Sequence, residues 1–251
     1  MARVTLDGVP ASTLARRWSV PQAAVFRTLT SSLDAVHEHG GRGSPHGTTV
    51  LAEEQTAGRG RDGRTWRSPN GGVWLAMLLR PGHVELGALS VRAGLVVADV
   101  VDELLACSMA RLKWPNDVLL DDRKLAGVLC EARWQGGDTP EWLALGVGIN
   151  VCNDVPAEFA ARAVALHEFA PRVRRIDVLD RLVPALAAVA AGRPALSEAE
   201  CRAFAERDWL LGRELRTPAA GRVRGLTADG ALLVESGTTT VTVREGHVEL
   251  V

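Results

Sequence analysis

The pattern of apolar and polar positions divides the chain into a long segment of mixed elements and a short β-rich segment. Apolar residues at helical spacing predict a long helix over 86–105, while apolar runs at 48–52 and 73–79 predict strands. Short connections join three further apolar runs, which predict an antiparallel meander at 118–120, 125–132 and 142–151. The fold class predicted is therefore α+β, with a mixed or antiparallel sheet flanked by helices.

The rest of the chain predicts further helices and then a change of texture. Residues 156–167 and 176–191 carry helical spacing, and Ser197 with Glu200 forms a capping box that opens a third helix. From about Leu210, short β segments alternate with turns and predict a small five-stranded domain. The predicted organisation is an N-terminal segment at 1–24, a main domain at 25–208 and a C-terminal domain at 209–251.

The N-terminal segment resembles the middle of a helix-turn-helix motif. Residues 12–27 predict an apolar helix, a turn at Ser19 and a second helix. About two dozen residues precede the main domain, too few for three helices and a wing. We interpret the segment as a remnant of such a motif or a docking helix, and DNA binding is disfavoured.

Composition describes an ordinary globular protein. The 251 residues are 47% hydrophobic with a net charge of −1, so nucleic acid is not the expected partner. The chain opens without an apolar signal region and has no run of membrane-spanning length, which predicts a cytoplasmic location. The four cysteines are widely spaced, which predicts reduced, mostly buried thiols and disfavours a zinc site.

Candidate chemistry begins with a loop that alternates glycine and arginine between Gln55 and Trp66. Glycines let the backbone approach a ligand closely, while guanidinium groups bind anions, so this is a candidate anion-binding loop. Residues 58–63 satisfy the dinucleotide pattern G-x-G-x-x-G, and 58–65 nearly match a P-loop. Both motifs require a helix directly after the loop, whereas a turn and then a strand are predicted here.

Lysine is nearly absent from the chain. Lys113 and Lys124 are the only two lysines among 29 basic residues, so the other 27 are arginine. An ammonium group is compact and titratable, unlike a guanidinium group. The two lysines are therefore the strongest candidates for chemistry.

Four motifs together resemble the biotin protein ligase family in order and spacing, in a short form without a complete N-terminal winged helix. They are Gln55-Thr56-Ala57-Gly58-Arg59-Gly60-Arg61, Lys113-Trp114-Pro115-Asn116-Asp117, Arg123-Lys124-Leu125-Ala126-Gly127 and Gly146-Val147-Gly148-Ile149-Asn150. The resemblance implies a class II synthetase-like catalytic domain and a C-terminal SH3-like barrel. It also implies that ATP and Mg²⁺ activate biotin to biotinyl-5′-AMP, and that biotin then passes to a lysine of a biotin carboxyl carrier protein.

The resemblance also implies roles for individual residues. The implied catalytic residues are Lys124, Arg61 and Arg59. The implied biotin site comprises Ser31, Ser32, Leu33, Gln55, Arg59, Gly60, Arg61, Lys124 and Gly127. The implied nucleotide site comprises Arg61, Arg64, Trp66, Lys113, Asn116 and Asn150, with Asp117 as a magnesium contact. Leu33 departs from the asparagine that is usual in the family.

Structural readings compete with some of these roles. Ser31 or Ser32 could simply cap a helix, and Asp117 and Asn150 could be turn residues. On the same helix, His37 and His39 point apart and are expected on the solvated surface. Arg224 and Arg244 could face the nucleotide, but surface salt bridges are expected.

Three functional alternatives stay open: a lipoate-protein ligase, a biotin-sensing DNA-binding repressor, and a Gly-Arg RNA-binding module. The paired serines and Gln55 suit a ureido ring better than a dithiolane. The charge balance disfavours a nucleic-acid binder. The edge of the meander could pair across a two-fold axis to form a homodimer, as it often does in such ligases.

Overall fold

The computed structural model describes residues 5–80, 85–134, 136, 139–189 and 194–251. The described chain starts with a two-stranded hairpin, β1 (Thr5–Leu6) and β2 (Val9–Pro10), followed by helix α1 (Ala11–Arg17). Leu14 of this helix and Trp18 directly after it are buried in the main core. The N-terminal segment is thus packed into the body of the protein.

A seven-stranded mixed sheet forms the centre of the molecule. Its strands are β3 (Ala23–Leu29), β4 (Thr49–Gln55), β5 (Val73–Leu79), β6 (Arg111–Lys113), β7 (Asp117–Leu120), β8 (Arg123–Arg133) and β9 (Trp142–Ile149). They lie in the order β3-β4-β5-β9-β8-β7-β6, and only β3 and β4 pair in parallel. The meander predicted for the last three strands is confirmed.

Helices cover both faces of this sheet. They are α2 (Ser32–Gly41), α3 (Leu86–Leu105), α4 (Arg175–Val189) and α5 (Glu198–Arg207). Every position of β5 is apolar and buried, as expected for a strand covered on both faces. Leu33 and Val36 of α2 pack with Trp142 in a separate small core, whereas α3 and α4 belong to the main core. The predicted α+β class is confirmed.

A second sheet forms the C-terminal part. It contains β10 (Glu214–Thr217), β11 (Gly221–Leu226), β12 (Leu232–Ser236), β13 (Thr239–Val243) and β14 (Glu249–Leu250). All its pairs are antiparallel, in the order β13-β12-β11-β10-β14, and the two outer strands are not paired with each other. The predicted number of strands is found, but the sheet does not close into a barrel.

The predicted second N-terminal helix is wrong. Ser19 adopts a left-handed φ of 55° just after α1, and residues 23–29 form the strand β3. Pairing with β4, more than twenty residues later in the chain, satisfies the backbone of this segment, so tertiary contacts override its helical pattern. The helix-turn-helix interpretation therefore fails at its second helix.

Two further expectations need correction. Residues 156–167 form no α-helix but contain 3₁₀ turns at Ala157–Phe159 and Leu166–Glu168, because the segment bonds to the start of β8 through Lys124 N–H to Arg162 O (2.8 Å). Of the helix predicted at 176–191, the last two residues lie outside the described part. The thiols are less buried than expected, since Cys107 and Cys152 are exposed.

Among the described residues, no helix combines the length and apolar character required to cross a membrane.

Candidate active site

A cavity of about 180 Å³ opens above the central sheet, between the Gly-Arg loop, strands β8 and β9 and the turn after β6. The predicted site residues that line it are Ser31, Ser32, Leu33, Gln55, Arg59, Gly60, Arg61, Arg64, Trp66, Lys113, Asn116, Asp117, Lys124 and Gly127. Residues distant in the sequence therefore meet around one space. Asn150 is not among the lining residues.

The Gly-Arg loop (residues 58–66) is folded back on itself as a hairpin. Trp66 N–H donates to Gly58 O at 2.9 Å, and Gly60 N–H donates to Arg64 O at 2.7 Å. A Cβ atom at position 58 would lie 2.4 Å from Trp66 O, so only glycine allows this close pairing. The hairpin brings the arginine-rich tip to the edge of the cavity.

Polar groups at one end of the cavity are hydrogen-bonded to one another. Gln55 Oε1 accepts from both the backbone N–H of Ser32 (2.7 Å) and its hydroxyl (3.0 Å), and Gln55 Nε2 donates to Ser68 Oγ at 2.8 Å. Ser31 is the N-cap of α2, and its hydroxyl accepts from Leu33 N–H. The capping interpretation is confirmed for Ser31.

Leu33 packs against the floor of the cavity. An ideal Cβ on Gly146 would lie 3.0 Å from a methyl carbon of Leu33, and the Leu33 side chain is buried in the small core beneath α2. The apolar side chain of Leu33 therefore lies at a position where the resemblance implied a contact with biotin.

The indole of Trp66 lies on a floor made of glycines. A Cβ on Gly148 would be 2.8 Å from Trp66 Nε1, and a Cβ on Gly127 would be 3.1 Å from the same ring. Trp66 Nε1 is buried and has no hydrogen-bond partner among the described residues. Because a buried donor without an acceptor is costly, this N–H is a candidate ligand contact.

Lys124 lies beside this ring. Its Nζ is 4.9 Å from the centroid of Trp66 and 2.6 Å from Asp117 Oδ1. This short contact between the ammonium group and the carboxylate is an ion pair. The lysine and the carboxylate thus lie together at the cavity wall.

Lys113 and Asn116 lie on the other side of Asp117. Burial is the main cause that lowers the pKa of Lys113, while the neighbouring Asp117 partly offsets it. The Lys113 ammonium lies 5.2 Å from the ring centroid of Trp209. Asn116 Nδ2 donates to Val128 O at 2.8 Å, which ties the turn to β8.

The three arginines of the loop differ in their partners. Arg59 donates to Asp34 Oδ1 at 2.5 Å and to Glu131 Oε2 at 2.9 Å. In the part of the chain that the structure describes, Arg61 and Arg64 have no ion-pair partner. Positive charge is therefore neutralised at the base of the hairpin and left available at its tip.

Several residues around the cavity were missed by sequence reasoning. Glu131 could have been noticed as a charge within an apolar strand, but nothing signalled its pairing with Arg59. Gly246, His247 and Val248 come from the loop before β14 and also line the cavity. The solvated position expected for His37 is wrong, because the ring is half-buried and bonded to Glu131 at 2.9 Å.

Asn150 lies at the end of β9, where its amide has a structural partner. Asn153 Nδ2 donates to Asn150 Oδ1 at 3.1 Å, and both side chains are buried. Asn150 N–H donates to Leu125 O at 3.0 Å. Its nucleotide contact stays a prediction.

Comparisons with known proteins agree with this arrangement. Residues 27–150 match the model of the biotin/lipoate A/B protein ligase family. The biotin--[acetyl-CoA-carboxylase] ligase of Mycobacterium tuberculosis is 34% identical over 241 residues, covering 89% of this chain and 86% of that protein. The bifunctional ligase/repressor BirA of Bacillus subtilis is 35% identical over 162 residues, and this chain spans about half its length (49%).

A solved structure shares the fold over nearly the whole chain. The biotin protein ligase from Aquifex aeolicus in complex with biotin and ATP superimposes with a TM-score of 0.77 at 26% identity, covering 92% of this chain and 98% of that chain. The family match and the extensive similarity to the mycobacterial relative show that the chain belongs to the biotin/lipoate A/B protein ligase family.

Proposed function

We propose that the protein is a biotin protein ligase, which activates biotin with ATP to biotinyl-5′-AMP and transfers biotin to a lysine of a biotin carboxyl carrier protein. The observation that carries this proposal is the single cavity in which Lys124, the arginine-rich hairpin and the Gln55–Ser32 group meet. The relatives named as biotin ligases and the related complex with biotin and ATP support it.

The first step must bring two anions into contact. The carboxylate of biotin attacks the α-phosphorus of ATP and pyrophosphate leaves, so positive charge has to be fixed around both groups beforehand. Arg61 and Arg64 have guanidinium groups that are free of carboxylate partners among the described residues. Lys124 would exchange its contact with Asp117 for the transferring oxygens, acting as a point donor in the transition state.

The same cavity suits biotin. Gln55 and Ser32 present fixed amide and hydroxyl groups at one end, which would read the ureido ring together with Ser31. Beside this site, Trp66 on its floor of Gly127 and Gly148 offers an aromatic face for the adenine, and its N–H, which has no acceptor among the described residues, offers one donor. Leu33 would make an apolar contact with the ligand at this end of the cavity.

We place the nucleotide beside Lys113, Asn116 and Arg64. Asp117 offers one carboxylate, and the described residues contain no cluster of three or more metal-ligating side chains. Magnesium commonly binds one or two carboxylates plus substrate phosphates, so a metal held by Asp117 and ATP fits this donor set. When bound, the ion would neutralise phosphate charge, while Lys113 and Lys124 orient the groups beside it.

In the second step, the ε-amine of a carrier lysine attacks the acyl carbon of the adenylate. A biotin amide forms, AMP leaves and the amine loses a proton. The acetyl-CoA-carboxylase ligases among the relatives support a carrier domain of that enzyme as the partner. A homodimer stays a prediction.

Pyrophosphate release tests the proposal. The full chain is incubated with ATP and Mg²⁺, together with biotin, lipoate or neither acid, and the released pyrophosphate is measured. An apo carrier domain is then added, and its mass is measured by mass spectrometry. Release that depends on biotin and a mass increase of one biotinyl group are expected. Release that depends on lipoate alone would establish the lipoate-ligase alternative, and the absence of release with either acid would refute acyl activation.

The repressor alternative has less support in the structure. Residues 23–29, where the second helix of a DNA-binding motif was predicted, form a strand of the central sheet. A gel shift on DNA upstream of biotin genes should therefore show no specific complex.

Domain limits and compartment complete the proposal. We assign catalysis to 25–208 and infer that 209–251 is a small SH3-like domain, in which the loop before β14 brings His247 to the cavity. The described part of the 1–24 segment supports the central core, while residues 1–4 lie outside the described chain. All four cysteines are free thiols, which supports a reducing, cytoplasmic compartment.

A further inference from the structure

Arg59 lies at the centre of a polar chain that reaches from the cavity to the small core beneath α2. Its guanidinium joins Asp34 on α2 and Glu131 on β8, at 2.5 Å and 2.9 Å. These two elements flank the Gly-Arg loop, so one side chain of the loop is tied to both of its neighbours. Arg61 and Arg64 have no comparable tie among the described residues.

Glu131 is itself held from behind by His37. The His37 Nε2 atom lies 2.9 Å from Glu131 Oε2, and Trp142 Nε1 lies 3.1 Å from His37 Nδ1. An indole N–H can only donate, so Nδ1 must accept and the imidazole proton lies on Nε2, directed at Glu131. The hydrogen bond from His37, together with the charge of Arg59, holds the pKa of Glu131 below its ordinary value.

The indole at the far end of this chain is fixed by packing. Trp142 is buried, and an ideal Cβ on Gly40 would lie 2.5 Å from its ring. The helix therefore accommodates the indole only because position 40 is glycine. The orientation of His37 rests on this contact, so Glu131 is directed by a rigid support.

We propose that Glu131, supported by His37 and together with Asp34, is a positioning residue that anchors the Gly-Arg loop through Arg59. The anchor fixes where the unpaired charges of Arg61 and Arg64 lie relative to Lys124. Arg59 thus differs in its task from the other two arginines: it holds the loop, and they supply charge for the ligand. The kinetic part of this proposal rests on the proposed ligase function, whereas the structural part does not.

Hydrogen exchange of the loop tests the anchor without any substrate. In the full chain, Glu131→Gln keeps the size of the side chain and removes its charge, and amides in 58–66 should exchange about fivefold faster. Asp34→Asn removes the other half of the anchor and should give a similar increase without altering β8. Glu38→Gln, on the exposed side of the same helix, is the matched control and should leave loop exchange unchanged.

A double-mutant cycle separates anchoring from a general loss of stability. If Glu131 acts through Arg59, Glu131→Gln should add nothing to loop exchange in an Arg59→Ala background, while peptides from β5 stay protected in all variants. Wild-type exchange in both Glu131→Gln and Asp34→Asn would overturn the anchor. The anchor would also be overturned if Glu131→Gln accelerated loop exchange in the Arg59→Ala protein as much as it does in the wild type.

Steady-state kinetics then test what the anchor contributes. A loop that is misplaced before binding costs affinity, so Glu131→Gln should raise the KM for biotin about fivefold and leave kcat nearly unchanged. A fall in kcat at constant KM would overturn the positioning role in favour of direct catalysis. If loop exchange responds as expected but no biotin-dependent pyrophosphate is released, the ligase function is refuted and the anchor is supported. If activity is normal but loop exchange is unaltered in the variants, the anchor is refuted and the ligase function is supported.

Discussion

Arginines in the C-terminal sheet and arginines in the Gly-Arg loop are used in different ways. In the sheet, Arg222 pairs with Glu214, Arg224 with Glu235, and Arg244 with Asp229. The salt bridges expected for Arg224 and Arg244 are therefore confirmed. In the loop, Arg61 and Arg64 lack such partners within the described chain, although both are close to a cavity.

The difference indicates which charges are available for a ligand. Exposed ion pairs contribute little to folding stability, so the paired arginines of the sheet are ordinary surface residues. Around the cavity, guanidinium groups without a carboxylate partner among the described residues adjoin a buried indole N–H that has no acceptor there. Polar groups left unsatisfied inside a structure weaken it unless they serve a ligand.

Removing the ammonium group beside Trp66 should have the largest effect. Lys124→Ala is expected to lower biotin-dependent pyrophosphate release by about 10³-fold, because a preorganised donor to the transferring oxygens is lost. Release is measured under single-turnover conditions. Arg123→Ala, at the neighbouring position but paired with Glu168 outside the cavity, is the control and should stay near the wild-type rate; a near-normal rate for Lys124→Ala would remove the lysine from the mechanism.

Filling the glycine floor should have the next largest effect. A methyl group at position 148 would lie 2.8 Å from Trp66 Nε1, so Gly148→Ala forces the indole upward into the cavity. A displacement of about 1 Å at a reacting site costs about 10²-fold, which is the expected loss in kcat/KM. Gly41→Ala meets no atom within 4 Å and serves as the control. Equal activity of both variants would show that Trp66 does not contact the substrates.

Asp208, which lies between helix α5 and the C-terminal sheet, should make stability depend on pH. Burial raises the pKa of this carboxyl to about 6, above its unfolded value of about 3.9. The folded protein therefore binds the proton more tightly, and about 3 kcal/mol of unfolding free energy is present below pH 4 and lost as pH rises through 6. Urea unfolding at several pH values should show this loss in the wild type but not in Asp208→Asn.

The sign of that effect has an internal control. A hydrogen bond from Thr227 lowers the pKa of Asp229, so its stabilising contribution is present above the unfolded pKa and is lost as pH falls. The difference between wild type and Asp229→Asn should therefore change with pH in the opposite direction to that of Asp208→Asn. The same direction for both variants would contradict the assignment of burial as the cause at Asp208.

The smallest effect is expected at a paired surface arginine. Arg224 is half exposed, and its pair with Glu235 should contribute no more than about 0.5 kcal/mol. Arg224→Ala should thus unfold at nearly the wild-type urea concentration and release pyrophosphate at the wild-type rate. A large loss of activity would mean that the arginines of this sheet, like those of the Gly-Arg loop, contribute charge to the site.

Local pattern was enough to predict much of the fold. The helix α3 has the limits that its apolar spacing predicts, and the meander follows from short connections between apolar runs. The second N-terminal helix failed because β3 is specified by pairing with β4, which no local pattern reveals. Sequence reasoning is reliable here where contacts are near in the chain, and it fails where they are remote.

The candidate site divides in the same way. The family resemblance implied fourteen residues that line the cavity, although the motifs are far apart in the sequence. The partners of Arg59 lie 25 and 72 positions away, and His247 reaches the cavity from the loop before β14. Such contacts depend on topology, so they could be identified only when the chain was folded.

The scarcity of lysine has a practical consequence for the folded protein. Both side-chain amines line the cavity, so the exterior of the molecule carries no lysine nucleophile that a reactive acyl group could label. Labelling by succinimidyl esters, measured by mass spectrometry at Lys113 and Lys124, should consequently report on occupancy of the cavity.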